Sequence, residues 1–111
     1  MARQLDEKNQ RSPHTSAYFA LEGDLDAEGG SNTARLLRDA ILAGRSDLTV
    51  NLDGVGVLDS AGLASLITTL RLARDHGGDV RIEASEPRIR RILEITALSR
   101  VFKMRPSRQA A

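Results

Sequence analysis

The chain has 111 residues, which suits one domain and is too short for two. Hydrophobic residues at 41% and charged residues at 28% describe a globular chain, and a formal net charge of +1 argues against a general nucleic-acid or anionic-membrane surface. Cysteine is absent and only His14 and His76 supply imidazole, so disulfides, thiolate catalysis, sulfur-bound zinc and multi-histidine metal sites are excluded.

Residues 1–16 are polar, carry one large apolar side chain after Met1 (Leu5), and read as a disordered tail dispensable for folding, with no apolar signal core. No apolar run is long enough to span a membrane, so a cytoplasmic location is expected. Ala17 to Leu21 alternates as a short strand that stops at Gly23, and Gly23-Asp24-Leu25-Asp26 reads as a turn. Residues 28–32 form a polar lead-in to a helix over 31–43, whose stripe is Ala34, Leu37, Ala40 and Ile41 and whose stop is Gly44.

Leu48–Leu52 and Val55–Leu58 predict a buried strand broken at Asp53-Gly54. Asp59-Ser60-Ala61-Gly62 opens a second helix with the stripe Leu63, Leu66, Ile67 and Leu70, ended by Gly77-Gly78. Val80 to Ala84 alternates as a strand with Arg81 and Glu83 outward. Ser85-Glu86-Pro87 starts a third helix with the stripe Ile89, Ile92, Leu93 and Thr96. Val101, Phe102 and Met104 supply a last short strand or a docked tail, and residues 106–111 fray. The order predicts an α/β domain over 17–105: a mainly parallel or mixed sheet of four to five strands covered by three to four helices.

The chemistry converges on the carboxyl ends of the strands, the edge where open α/β sheets hold their sites. Ser60 falls at the N-cap of the second helix. Ser is favoured there as a cap, and an exposed hydroxyl at a helix N-terminus also suits a phosphate. Catalysis by Ser60 is disfavoured: residue 58 is Leu, so no Gly-x-Ser-x-Gly elbow exists, and neither histidine has a route to it. His76 reads as an end residue complementing the helix dipole. Asp24, Asp26, Asp53 and Asp59 serve either turn chemistry or, where strand ends meet, a magnesium site; Asp26, Asp53 and Asp59 are expected close together. Arg88, Arg90 and Arg91 make a basic patch without aromatics, a solvated face or a rim for an acidic partner. Neither Gly-x-Gly-x-x-Gly nor a P-loop occurs, and no cofactor or metal is expected. A receiver domain, which needs an acidic pair right after its first strand and a lysine after its last, fits poorly, because Lys103, the one candidate lysine, lies in the wrong context.

The order of these pieces is more specific than any one of them. Gly-Asp-Leu-Asp at 23–26, Leu52-Asp53-Gly54-Val55, Val57-Leu58-Asp59-Ser60-Ala61-Gly62-Leu63 and Glu86-Pro87-Arg88-Ile89-Arg90-Arg91-Ile92-Leu93-Glu94-Ile95-Thr96-Ala97-Leu98 together resemble a STAS domain of the bacterial anti-sigma factor antagonist type. The resemblance covers about residues 17–105. It implies a non-enzymatic module that binds a serine-kinase anti-sigma factor, frees a sigma factor, and is switched off when the kinase phosphorylates Ser60; a serine phosphatase resets it. The implied partner surface is Asp26, Asp59, Ser60, Ala61, Gly62 and Leu63, with no direct nucleic-acid contact and no membrane insertion. Three departures are that Ala61 stands where many relatives carry Ser or Thr, that Ala97 stands where they carry Gly, a substitution that reads as mild, and that the first strand is short, so a preceding strand is either absent or lies inside the tail. The alternatives are a STAS subunit of a lipid-transport ABC complex, with Ser60 merely a cap, or a scaffold of a stress-signalling assembly.

Overall fold

Alternation decides which sheet face each side chain joins. Ala17, Phe19 and Leu21, then Leu48, Val50 and Leu52, then Val80, Ile82 and Ala84 share one face and one apolar core. A computed structural model describes residues 2–7 and 16–108 of the chain. Its elements are β1 (Ala2–Glu7), β2 (Ser16–Leu25), α1 (Ala27–Leu42), β3 (Asp47–Leu58), α2 (Ser60–Asp75), β4 (Asp79–Glu83), α3 (Pro87–Ile95), a 3-10 turn at Leu98–Arg100, and β5 (Lys103–Arg105). The five strands lie in the order β1-β2-β3-β4-β5, with β1 antiparallel to β2 and the remaining pairs parallel. This is the mixed α/β sheet expected from the pattern.

Each parallel crossover steps to the next strand in the same direction, so right-handed connections carry all three helices to one face. Leu37, Ala40 and Ile41 of α1, Leu66, Leu70 and Ala73 of α2, and Ile89 and Leu93 of α3 meet the strands there in a single cluster.

Several sequence-based boundaries are corrected. Residues 2–7 are no tail: they pair with β2 from Ala2↔Leu21 to Glu7↔Ser16, because β2 would otherwise expose an open edge. Residues 8–15, with His14, lie outside the described residues. Gly23 to Leu25 continues β2 instead of turning, through two register shifts that bring Leu25 opposite Leu58 and bury both. Asp53-Gly54 does not break β3, since Gly54 leaves room for the Leu21 carbonyl across the ladder. The polar lead-in is already helix, started by Asp26, whose carboxylate accepts from the Gly29 N–H at 2.9 Å. Glu83 is not outward but 2% exposed, and Ser107 is buried rather than frayed.

Ala97 is the one non-glycine residue with positive φ among the described residues, at 61°, between α3 and the 3-10 turn. The replacement is therefore not mild. An L side chain in this region costs roughly 1–2 kcal/mol, partly offset by the lower entropy of Ala over Gly in the unfolded chain. Ala97→Gly is expected to stabilise the domain by about 0.5–1 kcal/mol, read as a thermal midpoint higher by a few degrees. A lower midpoint would show that this turn carries no strain.

Candidate functional site

The pairing Leu25↔Leu58 places Asp26 and Asp59 at the ends of neighbouring parallel strands, so α1 and α2 begin side by side. The Asp59 N–H reaches back toward the Leu25 carbonyl at 3.5 Å. Asp59 is the N-cap of α2, its carboxylate accepting from the Gly62 N–H at 3.1 Å, as Asp26 caps α1. Asp24 props the same edge, accepting from the Val57 N–H at 3.0 Å.

Close approach of the two helix starts is written in small residues. A methyl on Gly30 would stand 2.8 Å from Ser65 Oγ and 3.3 Å from Gly62 Cα. A methyl on Gly62 would overlap the Leu25 carbonyl. At Gly30 the Ser65 side chain would have to turn aside, whereas at Gly62 the obstacle is backbone and a side chain would force the helix away.

Ser60 is not the cap assigned from the sequence. Asp59 takes that role, and Ser60 becomes the first residue of α2, exposed, its hydroxyl bonded to no other described residue. Ala61 and Leu63 are half-buried beside it, Gly62 is buried, and Val57 leaves 48% of its surface open next to the site. Asp26, Asp59, Ser60, Ala61 and Leu63 thus lie together on the surface at the two helix starts, with Gly62 buried beneath them.

Asp53 does not join it. Six residues back along β3, its carboxylate accepts from Ser85 N and Glu86 N, both at 2.9 Å, and ties β3 to the start of α3. Arg88 and Arg90 are also committed elsewhere, donating to the carbonyls of Val55 at 2.8 Å and Ala84 at 3.1 Å. The His76 ring lies 3.0 Å from the Leu72 carbonyl at the far end of α2. No group of three or more metal-ligating side chains occurs among the described residues.

A second polar cluster escaped the sequence reading. On the sheet face away from the helices, Tyr18 donates to Glu83 Oε1 at 3.1 Å and Asn51 Nδ2 to the same oxygen at 3.3 Å. Arg108 Nε donates to Glu83 Oε2 at 2.7 Å. Burial, then the neighbouring Glu83 charge, pushes the Tyr18 hydroxyl up to about 12. Burial alone would raise Glu83, but its bonds from Arg108, Asn51 and Tyr18 outweigh that and hold it below its ordinary value. The sequence offered no distinct signal for it, because Glu83 alternates with Val80 and Ile82 just as Asp79 and Arg81 do, and Asn51 stands beside Thr49 and Asp53 in β3.

The family model of the STAS domain matches residues 8–111. Among solved structures, an anti-sigma factor antagonist from Mycobacterium paratuberculosis superposes with a TM-score of 0.77 at 20% identity, over 97% of this chain and 88% of that one. The anti-sigma factor antagonist SpoIIAA in its unphosphorylated form gives 0.73 at 15% identity, over 95% and 90%. The Bacillus cell fate determinant SpoIIAA in its phosphorylated form gives 0.68 at 17% identity, over 96% and 93%. These likenesses are of fold. No described helix is long and apolar enough to cross a membrane.

Proposed function

The chain belongs to the STAS domain family, and from that premise we propose that it is an anti-sigma factor antagonist: a cytoplasmic, non-catalytic module that binds a serine-kinase anti-sigma factor and releases a sigma factor. Phosphorylation of Ser60 by that kinase ends the complex, and a serine phosphatase restores it. The observation that carries this reading is the division of labour at the start of α2. Asp59 caps the helix, which leaves the exposed Ser60 hydroxyl uncommitted at a positive helix end. A serine needed only as a cap would be spending its oxygen on a backbone N–H.

The partner surface is Asp26, Asp59, Ser60, Ala61, Gly62 and Leu63, not the arginines of α3, of which Arg88 and Arg90 bond the chain's own carbonyls. Replacing Asp26 by a cation would also remove the α1 cap, so the informative change is Asp26→Asn, because Asn caps as well as Asp and removes only the charge. In a calorimetric titration with the cognate anti-sigma factor, Asp26→Asn is expected to weaken binding about tenfold, or ~1.4 kcal/mol. Arg90→Ala is expected to bind like wild type. If Arg90→Ala is the weaker binder, the partner surface lies on α3 and the proposal fails.

A further inference from the structure

With every helix on one face, the opposite face of the sheet would be left open to water. Yet Tyr18, Thr49, Asn51 and Glu83 on that face are buried, and Ser107 and Arg108 lie across Tyr18, Asn51 and Glu83. The contacts are dense. Besides Nε, the Arg108 backbone N–H donates to Glu83 Oε1 at 3.2 Å, and its guanidinium carbon sits 4.1 Å from the Tyr18 ring centroid. Asn51 Nδ2 donates to Ser107 Oγ at 2.6 Å, and the Ser107 N–H donates to Ser85 Oγ at 2.8 Å.

The receiving groups come from β2, β3, β4 and the start of the following loop, whereas the received ones are the last described residues of the chain. Tyr18 supplies an aromatic wall, Glu83 a carboxylate floor, Asn51 a donor and Ser85 an acceptor. That set fits a guanidinium stacked on a ring and bonded to a carboxylate, a geometry lysine does not reproduce. The occupant is only part-buried, its side chain 43% exposed against 3% for Glu83. Without it, a buried carboxylate would lose its only charged partner among the contacts described, and leaving that charge unpaired is costly, which favours any guanidinium that can take the vacated place.

We propose that this sheet face is a receptor for an arginine-bearing segment of a partner protein, with Ser107-Arg108 filling it in cis as a built-in competitor. A tethered segment competes at high effective concentration, so the free chain keeps the receptor closed. The surface is separate from that around Ser60 and independent of its phosphorylation.

The test uses full-length chains and a dye-labelled peptide with the sequence of residues 103–111, followed by fluorescence anisotropy. Arg108→Gln, which withdraws the guanidinium, is expected to bind the peptide at least about tenfold more tightly than wild type. A lysine at the peptide position matching Arg108 should weaken that binding by a similar factor. Adding Glu83→Gln to Arg108→Gln should remove it. Circular dichroism checks the fold, and Ser107→Ala, which removes the hydroxyl that accepts from Asn51, is a second opened variant judged by the same criteria. Folded variants that bind no better than wild type, or binding indifferent to Glu83→Gln, would overturn the proposal. So would a wild-type dimer broken by Arg108→Gln, which would assign the site to a second copy of the chain.

Discussion

Gly62→Ala is expected to lower the thermal midpoint by about 10 °C or more. Two effects compete. Ala is the better helix former by about 1 kcal/mol, which alone would stabilise α2. Against it, the new methyl would overlap the Leu25 carbonyl oxygen, with the Leu25 carbonyl carbon 2.8 Å away and Leu25 Cγ 3.1 Å away. The obstacle is backbone in a parallel ladder, pinned by the pairing of Leu25 with Leu58, so it cannot swing aside as a flexible side chain would. Overpacking of this kind costs ~3 kcal/mol, more than propensity returns. Thermal denaturation followed by circular dichroism decides it. An unchanged or raised midpoint would mean that α2 can slide away from α1 at little cost, and that the alignment of the Asp26 and Asp59 caps is not fixed by this contact.

The second large effect is on binding. Phosphorylating Ser60 adds roughly −1.5 to −2 charges at the first residue of α2. Within the domain, the helix N-terminus tolerates an anion, so little unfolding is expected. Toward a partner the phosphate adds bulk and charge to a surface already holding the Asp26 and Asp59 carboxylates. Two unit charges about 4 Å apart repel by roughly 4 kcal/mol at an effective dielectric of 20. After solvent screening, a remaining ~1.4–3 kcal/mol lowers affinity tenfold to more than a hundredfold. Ser60→Ala should therefore bind the anti-sigma factor constitutively, and Ser60→Asp should bind weakly. Because Asp59 and not Ser60 caps α2, Ser60→Ala should also leave the thermal midpoint nearly unchanged, whereas loss of a cap costs about 1 kcal/mol. Equal binding by Ser60→Ala and Ser60→Asp would contradict the switch.

The helical face of the sheet was legible because periodicity reports burial against neighbours that follow in sequence. Ala17, Phe19 and Leu21 alternate, and Leu66 and Leu70 repeat at helical spacing, so the core and its crossovers could be read directly. The site surface was legible in outline for the same reason: a strand end followed by Asp-Ser-x-Gly must turn into a helix at the sheet edge. Which residue caps that helix was not legible, since Asp and Ser are nearly equal as caps and the choice follows from a one-residue difference in where α2 begins. The far face was hidden for a different reason. Glu83 looks like any outward strand residue until Arg108, 25 positions later, folds across it. The strand at 2–7 stayed an open alternative to a disordered tail because its pairing rests on the backbone edge of β2 rather than on an apolar pattern of its own.

The most direct test of the switch is intact mass measurement of the wild-type chain after incubation with the cognate anti-sigma factor kinase and ATP, with the product then titrated against the same kinase. In the transfer, Ser60 Oγ bonds to the γ-phosphorus of ATP, the bridge to the β-phosphate breaks, ADP leaves, and the hydroxyl proton goes to a base on the kinase. The expected result is a gain of one phosphoryl group on wild type and none on Ser60→Ala, with the modified chain binding at least about tenfold more weakly. No mass gain on wild type, or full binding by the modified chain, would contradict the account and leave Ser60 an unmodified first residue of α2.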